Sequence, residues 1–141
     1  MVTVYDVDAL KLVKMTAQEL EKVDILAPPK WVGTVKSGPH RQRLPQDEKF
    51  WYIRCASILR KAYVGSVVGV SSLRTHYGGR KSRGVRPERH RRAGGNLIRK
   101  GMQALEKAGL MQKAKVGREL SAKGRKLLDG VAKEISNQKV E

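Results

Sequence analysis

A single cysteine, Cys55, stands in a chain of 141 residues. A lone thiol excludes a disulfide framework and any cysteine-rich zinc module. No apolar run approaches the roughly 18–20 residues of a membrane span. The N-terminal MVTVYDVDA carries acids where a secretory signal needs bases and an apolar segment. His40, His76 and His90 are scattered, with no pair at helical metal-ligand spacing, so neither a metal nor a cofactor is expected. Catalytic patterns are missing too. Lys81-Ser82 lies near glycines, but residue 80 is arginine where a P-loop requires glycine. Ser71 and Ser72 lack a nucleophile-elbow context. Asp47 and Glu48 read as a helix cap and first turn, where the helix dipole favours acids. An enzyme is not expected.

What the chain has in excess is positive charge. Thirty lysines and arginines face 13 acids, a net +17 with pI near 10.4. That balance points to a polyanionic partner and says nothing about fold. The length suits one domain over residues 1–141, and 40% apolar content can close a modest core. A cytoplasmic protein without membrane association is the expectation.

Helical periodicity begins after Val7-Asp8. Asp8 can cap a helix over about 9–22, with Val7 stapled onto Leu12 and an inner stripe of Leu10, Val13, Ala17 and Leu20. Pro28-Pro29 stops the chain and opens a short helix through Trp31 and Val35. Asp47 then caps the strongest helix, about 48–64, ended by Gly65. Trp51, Tyr52, Cys55, Ile58, Leu59, Ala62 and Tyr63 share one arc, while Phe50 and Ile53 fall outside it. Apolar residues on more than one side make this the central helix. Ser71 can cap a short helix through Leu73, Arg74 and Tyr77, and Asn96 can cap another over about 97–108 with Ile98, Met102 and Leu105 inward. Residues 110–115 and 118–120 read as two strands around a glycine turn. Ser121 caps a last helix in which Leu127, Leu128, Val131 and Ile135 face inward. Gly130 weakens its end, and the tail SNQKVE is expected to fray.

The order helix, helix, hairpin, helix is the winged-helix arrangement, with 97–108 facing nucleic acid and 110–120 as the wing. The expected fold is therefore mainly α: a helical bundle around a central helix, with a winged-helix-like part over about 66–135 and one short β-hairpin.

Between the two short helices, GGRKSRGVRPERHRRAGG (78–95) shows no usable period and reads as a loop. It holds seven Lys/Arg, one acid, Glu88, and five glycines. Arginine forks onto phosphate and stacks on exposed bases, and glycines allow close backbone approach. Arg80, Lys81, Arg83, Arg86, Arg89, Arg91 and Arg92 are accordingly candidate RNA-binding residues, with Gly78 and Gly79. Arg54, Arg60 and Lys61 on the central helix would extend this face through Arg74 to Arg99 and Lys100. Tyr77 either stacks on a base or sits in the core. Cys55 reads as a buried thiol.

The stretch DEKFWYIRCASILRKAYV, the segment THYGGRKSRGVRP, and IRKGMQALEKAGLMQK followed by GRELSAKGRKLLD resemble the nineteen-e family of small-subunit ribosomal proteins of archaea and eukaryotes. PPKWVGTVK and the N-terminal helix carry the resemblance across essentially the whole chain. The compact length, without a long basic extension, resembles the archaeal members. The resemblance implies a structural constituent in the head of the small subunit, bound to rRNA and supporting assembly and rRNA maturation. Its partners would be small-subunit ribosomal RNA, neighbouring ribosomal proteins and assembly factors, and the free protein would be a monomer. It also implies that Arg54, Arg60, the Tyr77-Gly78-Gly79-Arg80 turn, Arg99 and Lys100 face RNA. The family's aromatic pair at the start of the central helix is Phe50-Trp51 here. The alternative from another class is a winged-helix DNA-binding regulator. Such regulators usually dimerise, and this chain has no spare amphipathic helix for the seam.

Overall fold

The central helix is where the apolar arithmetic placed it. In the computed structural model, which describes residues 2–140, α2 spans Phe50–Gly65 and buries Trp51, Cys55, Ala56, Ile58, Leu59, Ala62 and Tyr63. Phe50, Tyr52 and Ile53 are half-buried on its other sides, so neighbours surround it. The expected Asp47 cap is not used: the helix starts two residues later, after Lys49, and Asp47 Oδ1 accepts the Lys49 amide at 2.9 Å in the turn before it. At the other end the turn out of the helix is taken by Ser66, at φ 66, rather than by Gly65.

The N-terminal helix α1 (Ala9–Glu21) packs on α2 and on the last helix. Its buried stripe is Leu12, Thr16, Ala17 and Leu20. Leu10, expected inside, is 62% exposed, and Asp8 makes no side-chain cap bond. The helix starts where expected and Ala17 and Leu20 face inward as read, but in its first two turns Leu12 and Thr16 take the buried places read for Leu10 and Val13. Trp51 Nε1 donates to the Leu26 carbonyl at 2.9 Å, which ties the irregular stretch after α1 to the central helix.

The second half carries the winged-helix arrangement. Strand β1 (Val67–Val68) leads into α3 (Val70–Tyr77), and α4 follows at Gly95–Lys107. Then come β4 (Met111–Lys113), β5 (Arg118–Leu120) and α5 (Ala122–Val140). These strands form a three-stranded sheet in the order β1-β5-β4, so the wing is anchored by a strand from before α3. Leu97, Ile98, Met102 and Leu105 bury the inner side of α4 against α2. Ser121 caps α5 as expected, accepting the Gly124 amide at 3.2 Å. Two other expected caps are not used. Helix α3 starts after Gly69, with Ser72 Oγ donating to the Gly69 carbonyl at 3.0 Å, and α4 starts after Gly94. Asn96 instead accepts from Arg99 at 2.9 Å. Helix α5 runs to Val140, past the point expected to fray, because Gly130 sits on its exposed side and breaks no packing.

The segment read as a loop is a second hairpin. β2 (Gly79–Arg83) and β3 (Arg86–Arg91) pair antiparallel between α3 and α4. Strands are usually legible from alternating apolar residues, and arginines hid this one. Where a helix-turn-helix has a turn of three or four residues, this chain extends an arm.

Candidate nucleic-acid interface

The arm turns on two residues, Gly84 and Val85, because Arg83 pairs with Arg86. Gly84 takes φ 71, the positive φ that the first central position of such a turn demands. All six residues of β3 are exposed, and Val85 at the tip is completely so. The arm's order comes from its ladder and from its base.

At that base the structure divides the sequence-predicted cations into two groups. Arg74 and Lys81 have partners inside the protein. Arg74 Nε donates to the Ala93 carbonyl at 2.9 Å, and the Ala93 amide returns a bond to the Arg74 carbonyl at 2.9 Å. Lys81 Nζ donates to the Pro39 carbonyl at 2.7 Å. These two hold the arm rather than extend it. Gly78 is required for the same closure, since a Cβ there would collide with the Arg91 carbonyl oxygen. Arg83 Nε donates to the Pro87 carbonyl at 2.9 Å, within the arm, and Arg92 Nη2 reaches the Ser71 carbonyl at 2.9 Å. The other group, Arg80, Arg86, Arg89 and Arg91, is exposed, and so are Arg99 and Lys100 in the second turn of α4. None of these six forms an ion pair with an acid among the described residues.

Arg54 is placed differently from the surface position expected of it. Its guanidinium lies 3.9 Å from the Tyr77 ring centroid and 5.1 Å from that of Phe50. Arginine over aromatic faces gains cation–π attraction when desolvated. Burial is the largest influence on it and lowers its pKa, from a starting value so high that it stays charged at neutral pH. Tyr77 is half-buried, with its hydroxyl 2.6 Å from Ser57 Oγ, so it is a packed ring with a satisfied hydroxyl. Burial raises its pKa, and the Ser57 bond and the Arg54 charge oppose that. Arg54 and Arg60 line one cleft of about 460 Å³ together with Leu10, Val13, Phe50 and Ile53. Arg54 Nη1 and Arg60 Nε are buried there without hydrogen-bond partners. Lys61 is half-buried beside Arg60.

Sequence reasoning missed His40 and Arg41. A Cβ on Gly79 would lie 3.0 Å from the His40 ring, so this side chain is the floor on which the arm rests. His40 Nδ1 is buried and unpartnered, and its pKa is lowered, first by burial and then by Arg41, His90, Arg54 and Lys81. Gly38-Pro39 before it was legible as a turn, but nothing local marks its contact with a strand forty residues on.

Cys55 is buried, and its thiol is pushed up to about 12, chiefly by burial. Among the described residues, no three His, Cys, Asp or Glu come together to hold a metal, and no helix is long and apolar enough to cross a membrane.

Comparison with known proteins gives a consistent result. The family model described as Ribosomal protein S19e matches residues 3–138. The chain is 46% identical over 143 residues to the small ribosomal subunit protein eS19 of Aeropyrum pernix, an alignment covering 99% of this chain and 94% of that protein. It is 38% identical over 141 residues to eS19A of Schizosaccharomyces pombe, covering 99% and 98%. With eS19 of Emericella nidulans it shares 39% over 142 residues, covering 99% and 96%.

Proposed function

The chain belongs to the ribosomal protein S19e family, and on that premise we propose that it is a non-catalytic structural component of the small ribosomal subunit that binds ribosomal RNA. The observation that carries the RNA reading is the arm: a strand pair exposed along β3, dense in arginine, and without acid partners among the described residues. Such a feature is costly in like-charge repulsion unless a polyanion meets it. Arg86, Arg89, Arg91 and Arg92 would supply the phosphate contacts of the arm, with Arg83 at its end. Arg99 and Lys100 would continue them onto α4. Arg54 and Arg60, with Tyr77 and Lys61 around them, form a charged cleft whose buried donors lack partners and would be answered by RNA. Arg74, Lys81, Gly78 and Gly79 act by shaping the arm.

The chain would work as one unit in the cytoplasm, monomeric when free, with neighbouring ribosomal proteins and assembly factors against its remaining surface. It would support subunit assembly and rRNA maturation by fixing RNA strands relative to one another. A protein neutralising about 6–10 phosphates loses roughly 10³–10⁵ in affinity between 50 and 200 mM salt.

The test is sedimentation of a native lysate through a sucrose gradient with this protein followed by immunoblot. Co-migration with small subunits that survives moderate salt is the expected outcome. Migration with chromosomal DNA would favour the winged-helix regulator instead, and migration at the top would remove the ribosomal role.

A further inference from the structure

The arm's charges are not spread around it. Paired residues of an antiparallel ladder point to the same side, and neighbours along a strand alternate. Gly79 pairs with Arg91, Lys81 with Arg89 and Arg83 with Arg86. All six therefore share one face. Two contacts at the base confirm which face this is: Gly79 lies against His40, and Lys81 reaches Pro39. The opposite face carries Arg80 paired with His90, and Gly78 lies beside the same His90 ring.

Arg86 and Arg89 are three positions apart and in an unbroken strand would point opposite ways. The register shifts between Lys81 and Arg83, so that Ser82 faces two residues, Pro87 and Glu88. This bulge places Arg86 on the same face as Arg89 and Arg91. Pro87, which cannot donate to a ladder, occupies a position where proline is tolerated. One face thus carries Lys81, Arg83, Arg86, Arg89 and Arg91, while the other carries Arg80, Ser82, His90 and the bulge with Glu88, the single acid of the arm.

We infer that the arm grips RNA by one face only, the bulge-aligned face of Arg83, Arg86, Arg89 and Arg91, which takes a single run of the phosphate backbone. This deepens the RNA-binding reading above and rests on it. The base of that face adjoins Pro39 and His40, next in the chain to the exposed Arg41. The phosphates therefore enter an inside corner between arm and body, where charge of one sign focuses the field more than on a convex edge. The other face, with Glu88 among its residues, meets solvent or protein.

The test compares variants that each remove one charge from an exposed side chain: Arg80→Gln on one face, and Arg86→Gln, Arg89→Gln and Arg91→Gln on the other. Each full-length protein is titrated with a small-subunit rRNA transcript over a range of salt. Loss of one phosphate contact lowers the slope of log affinity against log salt by about 0.7–0.9. The expected result is that lowering for Arg86, Arg89 and Arg91, with the slope kept for Arg80→Gln. An equal loss with Arg80→Gln would overturn the one-faced grip. A loss with Arg89 and Arg91 but none with Arg86 would overturn the alignment by the bulge. If the parent protein binds tightly and all four variants match it, the arm is not the contact, although RNA binding stands. If the parent itself fails to bind, the RNA reading falls and the one-faced grip with it. Thermal unfolding of each variant keeps folding losses apart from contact losses.

Discussion

The two hairpins of this chain are held by opposite means. The wing, β4–β5, is secured from three directions. β5 pairs with β1 as well as β4, Met111 is 2% exposed, and Arg118 Nε donates to Glu106 Oε2 of α4 at 2.9 Å. The arm, β2–β3, has its own ladder, a glycine turn and a few bonds at its base. An isolated two-stranded hairpin is marginal in water, so the arm's order leans on that base and on whatever binds it. The same division runs through the charges. The wing (111–120) holds three basic side chains and one acid, and the arm (79–91) holds six and one. Burial is concentrated where the fold is decided, and positive charge on the exposed arm. Side-chain removal in the two regions should therefore move different observables.

The sharpest contrast comes from the body. Trp51→Ala removes a side chain 2% exposed and the Nε1 bond to Leu26, and should cost about 3–5 kcal/mol in urea unfolding. An unchanged midpoint would mean that the central helix does not organise the core. In the wing, Met111→Ala should cost about 2–4 kcal/mol by the same cavity mechanism. The matching change in the arm is the double variant Arg86→Gln/Arg89→Gln. Its folding stability should stay within about 0.5 kcal/mol of the parent, as for exposed substitutions generally. Its RNA affinity at low salt should fall by at least tenfold. A large loss of stability there would erase the distinction between the hairpins.

Most of the fold was legible because burial writes a period into the sequence. The central helix, α4 with Ile98, Met102 and Leu105, the wing and the Ser121 cap all follow from apolar spacing or a turn glycine. Facing was less legible where the stripe was weak, as at Leu10. The arm was not legible as a hairpin at all. Its strands bury almost nothing, so the alternation that marks a strand is absent, and only the two-residue Gly84-Val85 turn hinted at pairing. The candidate site was legible in composition but not in geometry. Counting arginines singled out the segment that forms the arm. It could not separate Arg74 and Lys81, which bind carbonyls of the protein itself, from Arg86 and Arg89, which do not. Nor could it place Arg54 between two rings.

The smallest expected effect lies where the two regions touch. His40 supports the arm and His76 lies on α3, and both have pKa values lowered from 6.5, in each case chiefly by burial. Arg41, His90, Arg54 and Lys81 add to this at His40, and Lys61 and Arg54 at His76. A folded pKa below the unfolded one means that the unfolded chain binds more protons in this window. The neutral rings' stability is therefore fully present above about pH 6.5 and is lost as pH falls from there through the folded values. Thermal unfolding of the free protein should show a modest drop between about pH 7.5 and about pH 5.5, and His40→Gln should shrink it. RNA reverses the sign. Phosphates beside the same rings favour the protonated form, so binding should take up protons, and affinity should rise over the range in which the free protein weakens. Titrations at the two pH values, at fixed salt, decide the matter. Affinity that falls with pH would mean that RNA does not approach His40, and that the corner between arm and body is closed to it.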